Sequence, residues 1–289
     1  MTPQRPTAAQ AKVLKSIQND TRARLGWSEG AERDLLRREL VFAGIAGGVP
    51  RAWIAHVLER GHRGVEWRSD LYLKDPEPVD RAALLDALGR DIGRIHEVVG
   101  VVAGHSAGAP TVNARTVSLV QRRVRVMWDR AVTLTHLLAV AAEEAVHLWG
   151  TNRRWAAEAA DTVSRMPPGA VAERLHGWVA LDPDMKRIGL QATALRAAGL
   201  TPHAARHVPP TPTQMVGEVK AALADRNSAA EHAAQAAPGW AIEHAVAVAG
   251  LGEPASSATE ITASASASTV GVATPVFSVE ADANSGAGL

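Results

Sequence analysis

Over residues 80–149 the apolar positions recur at alternating steps of three and four. Leu85, Leu88, Ile92, Ile95, Val99 and Val102 mark one run, and Val117, Val120, Val124, Met127, Ala131, Leu134, Leu138, Ala141, Ala145 and Leu148 mark a second. Such alternation gathers side chains on one stripe of a helix packed along a seam. Between the runs, Gly104-His105-Ser106-Ala107-Gly108-Ala109-Pro110 carries the glycines and proline that end a helix and let the chain reverse. The pattern predicts a long antiparallel helical hairpin, with Asp80 capping the first arm (Asp80 to Ala103) and a second arm from Asn113 to Trp149. At about 1.5 Å per residue the arms measure roughly 36 and 55 Å, so the second overhangs the first. The overhang is still apolar and needs a cover. A second copy of the chain would use Leu134, Leu138, Ala141, Ala145 and Leu148 as its seam, while another part of the same chain is the simpler cover.

The remaining pattern is also helical. Residues 7–25 place Val13, Leu14 and Ile17 on one side, and a second helix capped by Ser28 turns Leu35, Leu36, Leu40, Val41 and Ile45 inward before Gly47-Gly48 stops it. Val65-Glu66-Trp67-Arg68 and Leu71-Tyr72-Leu73 alternate like short strands or an extended crossing, and Asp75-Pro76-Glu77-Pro78 reads as a stiff linker. Past the hairpin, helices are expected over 153–165, 169–180 and 184–199, a proline-rich strap over 202–212, and alanine-rich helices over 213–225 and 227–249. From residue 252 the chain is Ala, Ser, Thr, Val and Gly without a basic residue, a composition expected to stay disordered. The fold expected is an all-α helical bundle organised on the long hairpin, with segments at 1–74, 75–150, 151–200, 201–251 and a disordered tail over 252–289.

Gly44, Gly48, Val49, Ile54 and Val57 fall at the spacings of two helices crossing at a tight turn: a small residue at the crossing, a glycine in the turn, and apolar residues seating the second helix. Pro50 suits the first turn of that helix, where a missing N–H costs nothing. This stretch, about residues 40–61, resembles the helix-turn-helix of lambda-repressor-type regulators. The resemblance implies that Arg51 and Ala52 face base edges in the major groove of duplex DNA, with Arg60 and Arg63 nearer the phosphates.

Composition narrows the chemistry. The chain has no cysteine, which excludes disulfides, thiolate catalysis and cysteine-ligated zinc. Aromatics are 4% of residues, so the core must be built from Leu, Val, Ile and Ala, as helix packing allows. The net charge of +1 makes no global case for nucleic acid, although basic residues outnumber acidic ones over 1–70 and no Lys or Arg follows Arg226. No apolar run is long enough to span a membrane, since His136, Glu143, Glu144 and His147 interrupt the best window, and the expected location is the cytoplasm.

Three Glu-x-x-His pairs, Glu59/His62, Glu144/His147 and Glu173/His176, have the spacing of carboxylate-bridged metal sites, with Glu97 or Glu158 as further ligands; solvated helix faces explain them as well. His203 and His207 form another pair between prolines. Gly104-x-Ser106-x-Gly108 matches the bare nucleophile-elbow formula without the strand that motif needs. Arg122, Arg123 and Arg125, with Arg115 and Arg130, form a basic belt on the second arm, read as a solvated face or as a contact for an anionic partner. No catalytic residue, metal site or cofactor is expected. The expected function is that of a non-enzymatic DNA-associated or regulatory protein of a phage or plasmid, self-associating through the hairpin. The alternative is a helical assembly or scaffold protein without a nucleic-acid role.

Overall fold

A computed structural model of the chain describes residues 5–23, 30–68, 73, 75–108, 112–150, 154–180, 183–202 and 208–248, with side chains as far as Gln235. The chain divides into two units, residues 1–235 and 236–289, and of the second only helical backbone over 236–248 is described. Among the described residues there is no strand. The helices are α1 (Ala8–Ala23), α2 (Ala31–Ala46), α3 (Arg51–His62), α4 (Arg81–Ala107), α5 (Ala114–Leu137), α6 (Ala142–Trp149), α7 (Arg154–Ser164), α8 (Pro168–Gly177), α9 (Pro183–Ala197) and α10 (Pro212–Val248).

The hairpin of α4 and α5 is antiparallel: Arg81 at the start of α4 meets Leu138, and Asp91 further along meets Arg130. Both arms begin on a capping side chain that accepts from a free backbone N–H, Asp80 Oδ1 from Ala83 at 3.0 Å and Asn113 Oδ1 from Thr116 at 2.9 Å. The seam is the one the spacing picks out. Leu88, Ile92, Ile95, Val99 and Val102 are buried against Val120, Val124, Met127, Ala131 and Leu134, while Leu85 and Val117 at the outer edges are half-buried.

The second arm is shorter than its periodicity suggests. It ends at Leu137, and Ala139 adopts φ +49°, the left-handed conformation that stops an α-helix. The Ala139 and Val140 N–H groups fold back onto the carbonyls of His136 and Thr135 (both 3.1 Å), and α6 restarts at Ala142. With 27 and 24 residues the arms are roughly 40 and 36 Å long. The expected overhang does not exist.

Around the hairpin, α7 and α8 lie on α4, α9 lies on α5, α2 packs on α9, and α1 packs on α3. Gly100 and Gly104 sit inside α4, where the side chains of Ala159 and Val163 from α7 occupy the space a Cβ would take. Gly104 through Ala107 therefore continue the helix, and the reversal starts at Gly108. One continuous hydrophobic core runs from Ala9 to Leu223, so the expected divisions near 74, 150 and 200 separate groups of helices within a single core. A chain of polar groups crosses it: Gln191 donates to Glu39 (3.0 Å), Arg130 to Gln191 (2.7 Å) and Arg130 to Asp91 (2.5 Å), joining α2, α9, α5 and α4. Buried polar groups persist when mutually hydrogen-bonded in this way.

One of two alternatives closes, and one expectation changes. Val65–Arg68 form no strand, because Gly64 (φ +74°) ends α3 with the Val65 N–H bonded to the Arg60 carbonyl (3.0 Å), and Gln18 takes up the Val65 carbonyl (2.8 Å). The alanine-rich stretch is one helix, α10, without a break at Arg226, whose guanidinium is paired with Asp161. Leu71, Tyr72, His203, His207 and the tail over 252–289 lie outside the described residues. Among those described, no helix is long and apolar enough to cross a membrane.

Candidate nucleic-acid interface

The turn between α2 and α3 is built as its residues suggest. Gly48 takes φ +77°, and the N–H groups of Gly48 and Val49 reach back to Ile45 (3.0 Å) and Gly44 (2.9 Å), closing α2. Pro50 stands just before Arg51, the first residue of α3, and its carbonyl accepts from Ile54 (3.2 Å). Gly44 is the crossing point: a Cβ there would meet Val13 Cγ1 at 3.2 Å and Ile54 Cδ1 at 3.7 Å.

α3 has two sharply different sides. Trp53, Ile54, Val57 and Gly61 are buried, and at Gly61 a Cβ would lie 2.7 Å from the Gln18 carbonyl oxygen and 2.7 Å from Thr21 Cβ, so α1 and α3 touch backbone to backbone there. Trp53 is core, as expected, and Trp67 is half-buried, packed against the same core. Arg51, Ala52, Ala55, His56, Glu59 and Arg63 are exposed on the opposite side.

The four residues singled out from the sequence divide. Arg51 and Ala52 face outward at the N-terminal end of α3, and Arg51 has no ion-pair partner among the described residues. Arg63 is also outward, and among the described residues its one ion-pair partner is the exposed Glu59 (3.5 Å). Arg60 is turned inward: it donates to the Glu66 carbonyl (3.3 Å), and its Nε is buried without a partner. Glu66 in turn pairs with Arg22 of α1 (2.7 Å). Arg60 thus fastens the end of α3, and Ala55 and His56 share the outward face in its place. Their i, i+4 relation to Arg51 and Ala52 is the signal that identifies them.

The turn itself is backed by the hairpin. Leu137 fills the space beside Gly47, and Leu138 Cδ2 would be 2.9 Å from a Cβ on Gly48. The start of α3 is consequently fixed against the end of α5. Leu134, Leu138 and Ala145 are buried inside the chain, Leu148 is half-buried and Ala141 is exposed. The seam proposed for self-association is thus covered intramolecularly, by the α2–α3 turn and by α6 folding onto α4.

The basic belt of α5 is also redistributed. Arg123 donates to the carbonyls of Trp178, Val179 (3.1 Å) and Ala180 (2.9 Å), satisfying the C-terminal end of α8, and Arg130 belongs to the buried polar chain. Arg115, Arg122 and Arg125 remain exposed.

Several of the residues considered for catalysis or metal binding are otherwise engaged. Ser106 donates to the Val102 carbonyl of its own helix (2.8 Å) beside a buried His105. Glu144 is held by Arg81 (2.6 Å), which keeps its carboxyl below the usual carboxylate range. His176 Nδ1 lies 2.9 Å from the Ala172 carbonyl. Among the described residues no three of His, Asp and Glu come together. Among the described histidines the most perturbed is His96, stacked on Trp155 with ring centroids 4.3 Å apart and pushed down to about 4 by burial. Comparison with protein-family models, with curated proteins and with solved structures finds no match to this chain.

Proposed function

We propose that the protein is a non-enzymatic, duplex-DNA-associated regulatory protein in which the outward face of α3 meets the DNA. The supporting observation is the composition of that face: Arg51 and Arg63 lie at its two ends with the small Ala52 and Ala55 near the start. A helix entering the major groove needs low relief along its contact side and cations that reach phosphates or guanine edges. His56 adds a hydrogen-bonding group near the centre. Contacts of this kind release counterions, so affinity falls with salt. The test is a titration of fluorescent random-sequence duplex at about 50 and 200 mM salt. Salt-sensitive binding weakened by Arg51→Ala and by Arg63→Ala, but not by Lys186→Ala on α9, supports the reading; no binding at the lower salt removes it.

The second reading, an assembly protein in which the corner is purely structural, is favoured by one observation. Leu137 and Leu138 are seated on the Gly47-Gly48 turn, tying the corner into the bundle. A protein that never binds duplex in that titration leaves this reading standing.

A further inference from the structure

A cavity of about 470 Å³ opens between α4, α5 and the start of α10. Its walls include Val99 and Val102 of α4, Val124 of α5 and Val216 of α10, the first three buried. Its rim holds Gln121, Arg122 and Arg125, all on α5, facing Pro212 and Thr213 of α10. No Asp or Glu is among the described lining residues.

The two arginines are the unusual part. Arg123 and Arg130 of the same helix are consumed by carbonyls, a carboxylate and an amide. Arg122 and Arg125 have no such partner among the described residues. They stand three apart on one face, where like charges repel and each weakens the helix slightly. An anion placed between them removes that repulsion and gains charge-assisted hydrogen bonds, with the Gln121 amide as a third donor. The valine wall behind the rim accepts no hydrogen bond and offers none, so it suits only hydrocarbon. A volume of this size lies within the range of small-molecule pockets, which are mostly apolar with a few placed polar groups.

We infer that this cavity binds a small amphipathic carboxylate, with its hydrocarbon against Val99, Val102, Val124 and Val216 and its carboxylate on Arg122 and Arg125. The inference is independent of DNA binding by α3, whose residues take no part in the cavity.

The test is calorimetric titration of the full-length protein with decanoate, and with decanol as the uncharged counterpart. The expected result is one decanoate bound per chain, with decanol at least about tenfold weaker, the loss that follows from removing a charge-assisted contact. Arg122→Gln with Arg125→Gln is expected to cost decanoate about tenfold or more while leaving decanol unchanged. Both side chains are exposed, so the fold is retained, and a circular-dichroism melt checks it. Val216→Trp, which fills the cavity from a half-buried position, is expected to abolish uptake of both ligands. Absence of decanoate binding by the wild-type chain overturns the inference. So does binding that survives both sets of substitutions, or loss of duplex-DNA affinity in the arginine double variant with no decanoate uptake, which makes the rim a polyanion contact instead.

Discussion

Arg81 and Glu144, 63 positions apart, meet in a two-pronged ion pair: Arg81 Nε lies 3.0 Å from Glu144 Oε1 and Nη2 lies 2.6 Å from Oε2. The same guanidinium donates to the carbonyls of Leu138 (2.8 Å) and Ala139 (3.4 Å), and Glu144 Oε2 accepts from the Ala141 N–H (2.8 Å). One arginine at the start of α4 thereby holds the end of α5 and the beginning of α6, and fixes the elbow on which the α2–α3 turn rests.

Replacing Arg81 with Ala is expected to destabilise the fold by about 1–2 kcal/mol, most of it from the carbonyl bonds, since the ion pair is partly exposed and screened. The hydrogen bond from Arg81, followed by that from the Ala141 N–H, lowers the Glu144 carboxyl. A lowered carboxyl contributes stability that is complete above its unfolded value, about 4.3, and is lost as the pH falls through the folded value. The gap between the thermal melts of wild type and Arg81→Ala should therefore be widest at pH 7 and narrow in acid, where the carbonyl bonds of Arg81 still hold part of it open. A gap of the same size at pH 7 and in acid contradicts the role given to Glu144.

Ala139 is the one non-glycine residue with positive φ among those described. Left-handed backbone costs an L-residue roughly 1–2 kcal/mol, partly offset on mutation by glycine's larger unfolded-state entropy. Ala139→Gly should raise stability by about 0.5–1 kcal/mol and the melting temperature by about 1–4 °C. Ala139→Val, adding a β-branch at the same φ, should lower both.

Glycines within helices separate by what surrounds them. Gly93 is exposed in α4 with nothing within 4 Å of the place a Cβ would take, and Gly93→Ala should stabilise by about 0.5–1 kcal/mol through helix propensity alone. Gly61→Ala should instead cost about 1–3 kcal/mol, because its methyl group meets the backbone oxygen of Gln18 at 2.7 Å. Equal effects in denaturant melts would mean that α1 and α3 do not touch as described.

His96 is pushed down to about 4 by burial, against an ordinary 6.5, beside the ring of Trp155. A lowered histidine contributes stability that is full above pH 6.5 and is lost as the pH falls towards the folded value. The loss amounts to at most roughly 3 kcal/mol between the two. His96→Phe should flatten that part of the stability profile. An imidazole that titrates near 6.5 by NMR contradicts the buried stack.

The seam of the hairpin is legible in the sequence because Leu88 to Val102 and Val120 to Leu134 keep the helical spacing, and the positions it picks out there are buried. The elbow is not legible. Leu138, Ala141, Ala145 and Leu148 continue the same spacing, and no glycine or proline marks the stop; the side-chain bonds to the broken segment come from Arg81, far away in the chain. The corner is legible at Gly44 and Gly48, where small size and positive φ are local demands. Arg60 misleads because its position suggests a phosphate contact, whereas its donor is taken by the Glu66 carbonyl, a pairing created by the turn at Gly64. In the same way Gly104 looks like a turn residue and is a helix crossing, since nothing local reveals that Val163 will pack on it.

The central claim, that α3 presents its outer face to duplex DNA, is tested most directly by the salt dependence of binding. Each phosphate contact contributes about −0.9 to the slope of log affinity against log salt. For Arg51 and Arg63 together the slope should be about −2 or steeper, and Arg63→Ala should make it shallower by about one. A slope unchanged by Arg63→Ala, or a wild-type chain that binds no duplex at low salt, contradicts the claim.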